Sequence, residues 1–185
     1  MNWFICGGLG VLAVAVALGL IAFYNRLILL RNRVDNAWAQ IDVQLKQRYD
    51  LIPNLVETVK GYASHEQETF ERVIQARNAA MSATGVEQQG AAENMLTGAL
   101  KSLFALAEAY PDLKANQSFL QLQDELTKIE QKIAYARQSY NDTVMSYNTA
   151  IQSFPANVVA APLGFTVREY FEIEATEAAA PQVKF

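Results

Sequence analysis

The sequence predicts an all-α protein in which an N-terminal transmembrane helix continues into an elongated antiparallel four-helix bundle or coiled-coil-like domain. Residues 3–24 carry no charged side chain. Beyond them, apolar residues recur at steps of three and four along two long segments with two shorter segments between. We therefore expect an anchor at 1–25, a helical bundle at 26–154 and, at 155–185, an extended tail that packs back toward the membrane-proximal part.

The anchor is predicted from its length, because roughly 22 residues at 1.5 Å each give about 33 Å, the thickness of a bilayer's hydrocarbon core. Two other interpretations compete with it. A cleavable signal peptide would need a basic residue before the apolar run and a cleavage signal after it, and the sequence has neither. Lipid modification of Cys6 would need a small residue among Trp3, Phe4 and Ile5, and none is small. The anchor is the favoured interpretation.

The orientation of the anchor follows from its flanking charges. Basic residues occur only after the apolar run, and those nearest to it are Arg26, Arg31, Arg33, Lys46 and Arg48. The positive-inside rule then places the N-terminus outside and the C-terminal part in the cytoplasm. Small residues within the run would let a second helix approach closely, although apolar spans are rich in Gly and Ala anyway. They are Gly7, Gly10, Ala13, Ala17 and Gly19.

The first bundle helix is predicted at about 26–62. Its apolar residues step from Leu27 to Ala63, and no glycine or proline lies between Leu20 and Pro53, so it should continue directly from the anchor. Pro53 lies inside this helix, where a proline deletes a backbone hydrogen bond at a cost of about 3 kcal/mol. We interpret it as a kink that bends the helix around the far end of the bundle.

The second and third helices are predicted at about 65–82 and 91–109. Ser64 with Gln67 has the form of a capping box that would start the second helix. A polar link, Gln88-Gln89-Gly90, is expected before the third.

The fourth helix is predicted at about 117–154, from a near-heptad apolar seam that runs from Phe119 to Phe154 and stops at Pro155. After it, Val158 to Ile173 is expected to be extended or turn-rich, and the last dozen residues have a disordered composition.

The composition offers little for catalysis. The chain has one histidine and one cysteine and lacks nucleotide-binding, nucleophile and paired-histidine metal motifs, so we predict no enzyme, metal or cofactor. His65, Glu66 and Glu68 could in principle touch a metal, but first-turn anions and caps explain them as well. The net charge of −4 without a basic stripe argues against a nucleic-acid partner.

A polar cluster in the first helix has two interpretations. It consists of Asp42, Arg48, Asp50, Asn54 and Glu57. It could be a recognition surface or a buried hydrogen-bond network. The simpler interpretation, a solvated helix face with pairs at i,i+4 spacing, is favoured because such pairs are common.

One long segment, VDNAWAQIDVQLKQRYDLIPNLVETVKGYASHE (34–66), resembles the signature of the LemA family of bacterial membrane proteins. AYPDLKAN, IAYARQSYND, FPANVVA and GFTVREYFE resemble later parts of the same family in the same order. The resemblance implies a single N-terminal span, an antiparallel helical bundle and no known enzymatic activity, and some relatives are implicated in building internal membrane compartments. Positions typical of the family are Trp38, Gln44, Arg48, Asp50, Pro53, Asn54, Tyr62, His65 and Glu66.

These observations lead to a functional hypothesis. We expect a single-pass protein of the bacterial inner membrane that is a non-enzymatic scaffold, with the lipid bilayer and further copies of itself as partners. Two helices near the membrane cannot bury both of their apolar stripes, which favours self-association. The alternative is a monomeric adaptor for one client, such as a membrane protease or an envelope-stress factor.

Overall fold

The computed structural model describes residues 2–172, with side chains from Gly7 onward. All the regular secondary structure within this range is α-helix, which confirms the all-α prediction and the long apolar N-terminal helix. The elements are α1 (Asn2–Lys60), α2 (Gln67–Ser82), α3 (Val86–Glu108), α4 (Pro111–Lys114), α5 (Gln117–Gln152) and α6 (Ala156–Val159).

The chain divides into two compact units, to both of which α1 and α5 contribute. The anchor unit comprises residues up to Trp38 together with Asp142–Arg168. The bundle unit comprises Ala39–Asn141 and, of the described residues, 169–172.

The predicted apolar stripe of α1 is confirmed as core. Leu27, Val34, Ile41 and Val59 are among its buried side chains. Pro53 lies within α1, which continues to Lys60. By contrast, the side chains of 7–22 are all exposed.

Two local predictions at helix starts are wrong. α2 begins at Gln67 after a turn that contains Ser64 and His65, and its N-cap is Glu66 without a side-chain cap, so Ser64 forms no capping box. The expected polar link 88–90 is helical, because α3 already begins at Val86. The connection between α2 and α3 lies earlier than predicted, at Gly85. The φ of Gly85 is 83°, a backbone conformation that glycine adopts readily, and α3 begins at the next residue.

The seam of α5 is confirmed for most of its length, since Phe119, Leu126, Ile133, Val144 and Ile151 are buried. The prediction that Phe154 is the last core residue of the seam is wrong. α5 ends at Gln152 and the chain then turns, which leaves Phe154 84% exposed.

The segment after α5 contains the short helix α6, a turn as far as Gly164, and non-helical chain over 165–172. The extended or turn-rich prediction is confirmed apart from α6. Its last residue, Ile173, and the predicted disordered end lie outside the described residues.

Side chains of α5 bind the main chain of 165–172. In the anchor unit, Asn148 Nδ2 donates to the Arg168 carbonyl at 2.9 Å, and the Arg168 N–H donates to Asn148 Oδ1 at 2.9 Å. In the bundle unit, Asn141 makes the same pair of bonds with Phe171, at 3.1 and 2.8 Å. Each amide satisfies one backbone donor and one backbone acceptor, as a neighbouring strand would.

Candidate functional site: a buried ionic network in the bundle unit

Arg48 lies at the centre of a polar network and is 1% exposed. Its Nη1 donates to Glu93 Oε2 at 2.7 Å and its Nη2 to Thr97 Oγ1 at 2.9 Å. Its Nε lies 2.8 Å from Glu130 Oε1, a contact short enough for an ion pair but without hydrogen-bond geometry. The guanidinium of α1 therefore contacts both α3 and α5.

Glu93 is the anionic partner and is 0% exposed. Its Oε1 accepts from the Tyr49 hydroxyl and from Gln89 Nε2, the latter at 3.0 Å. Gln89 Nε2 also lies 3.1 Å from the Ala80 carbonyl at the end of α2. Gln89, Glu93 and Thr97 are four residues apart along α3, so all three lie on the same helix face.

The network has balanced charges. Arg137 Nη2 lies 4.0 Å from Glu93 Oε2, and its guanidinium carbon lies 4.5 Å from the centre of the Phe171 ring. Arg48 and Arg137 thus oppose Glu93 and Glu130. Buried charges are tolerated when they are paired in this way, whereas removal of one partner costs about 3–5 kcal/mol.

Tyr49 is held as a neutral donor. Burial raises the pKa of its hydroxyl above the ordinary value, and the hydrogen bond to Glu93 raises that pKa further. The phenol therefore donates to Glu93 throughout the physiological pH range.

The arrangement is suited to joining helices. The Glu93 carboxylate is surrounded by donors and shielded from solvent, so a substrate cannot reach it in this conformation. Among the side chains described, no three of His, Cys, Asp and Glu are grouped so that they could hold a metal ion.

Pro53 adds one more connection between helices. In a regular helix the N–H at position 53 would donate to the carbonyl of Tyr49, and proline has no N–H. Arg77 of α2 supplies the donor instead, with its Nε 2.8 Å from the Tyr49 carbonyl oxygen. The proline therefore leaves a main-chain acceptor of α1 available to another helix, and the predicted bending role of Pro53 stays a prediction.

The positions typical of the family are not gathered into one site. Arg48 is buried, and Trp38, Gln44, Pro53 and Glu66 are half-buried. The exposed ones are Asp50, Asn54, Tyr62 and His65. The hydroxyl of Tyr62 accepts a hydrogen bond from Asn116 Nδ2 at 2.9 Å. The small residues of the anchor are exposed on α1, and a Cβ added at Gly7, Gly10 or Gly19 would meet nothing within 4 Å.

The polar cluster of α1 is partly a solvated helix face and partly a buried hydrogen-bond network. The solvated-face prediction is confirmed for Asp42, Asp50, Asn54 and Glu57, which are exposed. It is wrong for Arg48, because the side chain points into the core and finds a carboxylate there.

Sequence reasoning missed most of the partners of Arg48, although the spacing contained a signal. The buried stripe of α3 includes Leu96, Leu100 and Leu103. Continued backward at steps of three and four, it reaches Glu93 and then Gln89. Polar residues at core positions of two helices are the pattern that a buried network leaves in a sequence.

The bond from Arg77 to the Tyr49 carbonyl gives a testable prediction. Arg77→Met should lower the free energy of unfolding by about 1–3 kcal/mol, because a partly buried acceptor loses its donor. The same change should cost less in a Pro53→Ala background, where the main-chain N–H at position 53 is restored. Denaturation of the detergent-solubilised protein, followed by circular dichroism, measures both.

Arg72→Met, on an exposed arginine of the same helix, is the control and should give equal values in both backgrounds. An Arg77→Met effect that does not depend on residue 53 would contradict the assignment.

Comparison with known proteins identifies the family of the chain. A family model described as the LemA family matches residues 37–185. The chain is 31% identical over 144 residues to Protein LemA of Metamycoplasma hominis, a match that covers 75% of this chain and 64% of that protein. It is 26% identical over 193 residues to Magnetosome protein MamQ of Magnetospirillum gryphiswaldense, covering 86% and 71%, respectively. Magnetosome protein MamQ 2 of Paramagnetospirillum magneticum is 25% identical over 185 residues, covering 86% and 68%. The chain belongs to the LemA family.

Proposed function

We propose that the protein is a membrane-anchored helical scaffold that self-assembles and organises the membrane or proteins within it, without catalysing a reaction. One observation carries the proposal. The first part of α1 is long and apolar enough to cross a membrane, and no residue of its most apolar stretch is buried by the rest of the chain. Leu9, Val14 and Leu20 are 61%, 60% and 52% exposed.

An exposed apolar surface of this kind is unfavourable in water. Each Å² of apolar surface left in water costs about 25 cal/mol, and soluble monomers rarely expose a continuous apolar surface of this extent. A lipid bilayer covers the helix without any further folding of the chain. Because the backbone groups of a helix bond to one another, a single helix can lie in lipid without unpaired donors or acceptors.

Self-assembly is supported by a groove in the bundle unit between α1 and α5. Val43 and Tyr135 on its walls are 53% and 76% exposed. Gln44 Oε1 is shielded from solvent yet accepts no hydrogen bond from the described residues. We name this groove the α1/α5 groove. Its lining comprises Ala39, Gln40, Val43, Gln44, Lys128, Gln131, Lys132, Tyr135 and Ala136.

A second copy of the chain is the occupant that we favour. A helix laid in the α1/α5 groove would cover Val43 and Tyr135 and could offer a donor to Gln44. Relatives of the chain are named as magnetosome proteins, and a protein of an organelle is consistent with a role in organisation. An adaptor that binds one client protein through the same groove is the alternative, and copy number distinguishes the two.

We predict that the protein extracted in mild detergent has the native mass of a large homo-oligomer. Tyr135→Glu should shift the mass toward the monomer, because a charge would be buried unpaired at the contact between copies. Gln123→Glu, on an exposed position of the same helix about 120° around it from Tyr135, adds the same charge and should leave the mass unchanged. A monomeric wild-type protein would reject the scaffold and favour the adaptor.

The proposed topology has the N-terminus outside and the C-terminal part in the cytoplasm of a bacterial cell. It is supported by the arginines that follow the apolar segment, Arg26, Arg31 and Arg33. An epitope tag at the C-terminus should resist protease added to intact spheroplasts, and a tag at the N-terminus should be cleaved. The reverse pattern would show the opposite orientation.

A further inference from the structure

The segment between the end of α5 and Arg168, whose backbone is bound by Asn148, has an unusual composition. Residues 153–167 contain no charged side chain. α6 and the turn that follows reverse the chain here. The turn is closed by hydrogen bonds from the N–H of Gly164 to the carbonyl of Ala161 and from that of Phe165 to Ala160, both 3.0 Å. We call residues 153–164 the return turn.

The return turn buries small side chains and exposes large ones. Ala156 and Ala160 are 4% and 3% exposed, whereas Phe154, Val158 and Leu163 are 84%, 65% and 47% exposed. A turn selected for contact with water would show the opposite arrangement. The exposed face of the return turn is therefore suited to an apolar environment.

The location of the return turn indicates which environment that is. Within the anchor unit, Val158, Pro162 and Leu163 line an apolar groove together with Leu20 and Tyr24 of α1. Tyr24 ends the uncharged apolar segment two positions before Arg26, and Leu20 lies one helical turn earlier. If α1 crosses the bilayer, the return turn lies at the depth where α1 leaves it.

Cations surround the same region, as expected at the boundary between acyl chains and head groups. Arg26 and Phe154 line a second groove of the anchor unit. The guanidinium carbon of Arg31 lies 5.6 Å from the centre of the Phe165 ring, and that ring lies 5.7 Å from the ring of Tyr24. An arginine beside an exposed aromatic side chain, as Arg26 is beside Phe154, is typical of segments that lie in the membrane interface.

We propose that the return turn is a second membrane contact, which inserts Phe154, Val158 and Leu163 into the leaflet from which α1 emerges. This rests on the proposed function, because it requires α1 to span the bilayer. The occupant of the exposed apolar face is lipid at the boundary of head groups and acyl chains, about 5–10 Å deep as in other interfacial segments. The turn thereby fixes the anchor unit against the membrane surface at two points.

Depth-dependent quenching of tryptophan by brominated lipids tests the proposal. The full chain carries Trp3→Phe and Trp38→Phe, and a single tryptophan is then placed by Phe154→Trp or Leu163→Trp. The protein is reconstituted into vesicles of phosphatidylcholine and phosphatidylglycerol with bromine at shallow or deep acyl positions. We expect blue-shifted emission that shallow bromines quench more than deep ones.

Two reference positions make the outcome decisive. Val14→Trp reports on the span and should be quenched most by deep bromines, while Tyr62→Trp, at an exposed aromatic residue of the bundle unit, should not be quenched. Quenching at residue 14 without quenching at 154 and 163 would overturn the return-turn contact and leave the anchor intact. Blue-shifted but unquenched emission at 154 would show that protein covers the turn, which also overturns it. No quenching at residue 14 would reject the span itself.

Discussion

The ion pair of Arg48 with Glu93 is the constraint on which the bundle unit depends. A guanidinium that is 1% exposed can be accommodated only if α3 presents its carboxylate and α5 presents Glu130. Apolar contacts tolerate small shifts between helices, whereas charge-assisted hydrogen bonds require particular distances and directions. We therefore expect the network to select one arrangement of helices from the many that the apolar stripes alone would allow. Tyr49 and Gln89 complete it by donating to the same carboxylate.

α1 meets different environments along its length, and its sequence changes accordingly. Residues 7–22 are apolar all round and exposed, as is expected in lipid, whereas the part after Leu27 has one buried stripe. Pro53 then interrupts the backbone bonding within the helix and makes the Tyr49 carbonyl available to Arg77. In the proposed scaffold, one helix thus carries the anchor, the central arginine and a wall of the α1/α5 groove, so that attachment and assembly use the same element.

The long helices could be predicted because α1 and α5 repeat apolar residues at steps of three and four from Leu27 and from Phe119. The pairing within the network could not, because the apolar spacing marks Glu93 as a core position of α3 but does not say that its partner is Arg48, 45 residues away. The contacts of Asn148 and Asn141 could not be predicted either. Both side chains bind backbone atoms, which every residue has, so the sequence does not mark their partners. The prediction of Phe154 as a core residue is wrong because the apolar spacing of the seam continues beyond Gln152, where α5 ends.

A double-mutant cycle across Arg48 and Glu93 tests this account most directly. Arg48→Met and Glu93→Leu are made singly and together in the detergent-solubilised full chain. Each single variant should lower the free energy of unfolding by about 3–5 kcal/mol, because each removes the partner nearest to a buried charge. The double variant should lose much less than the sum. The exposed pair of Lys128 and Asp124 serves as the control and should show no comparable coupling. Additive losses at Arg48 and Glu93, or single variants as stable as the wild type, would contradict a bundle organised by its buried ion pair.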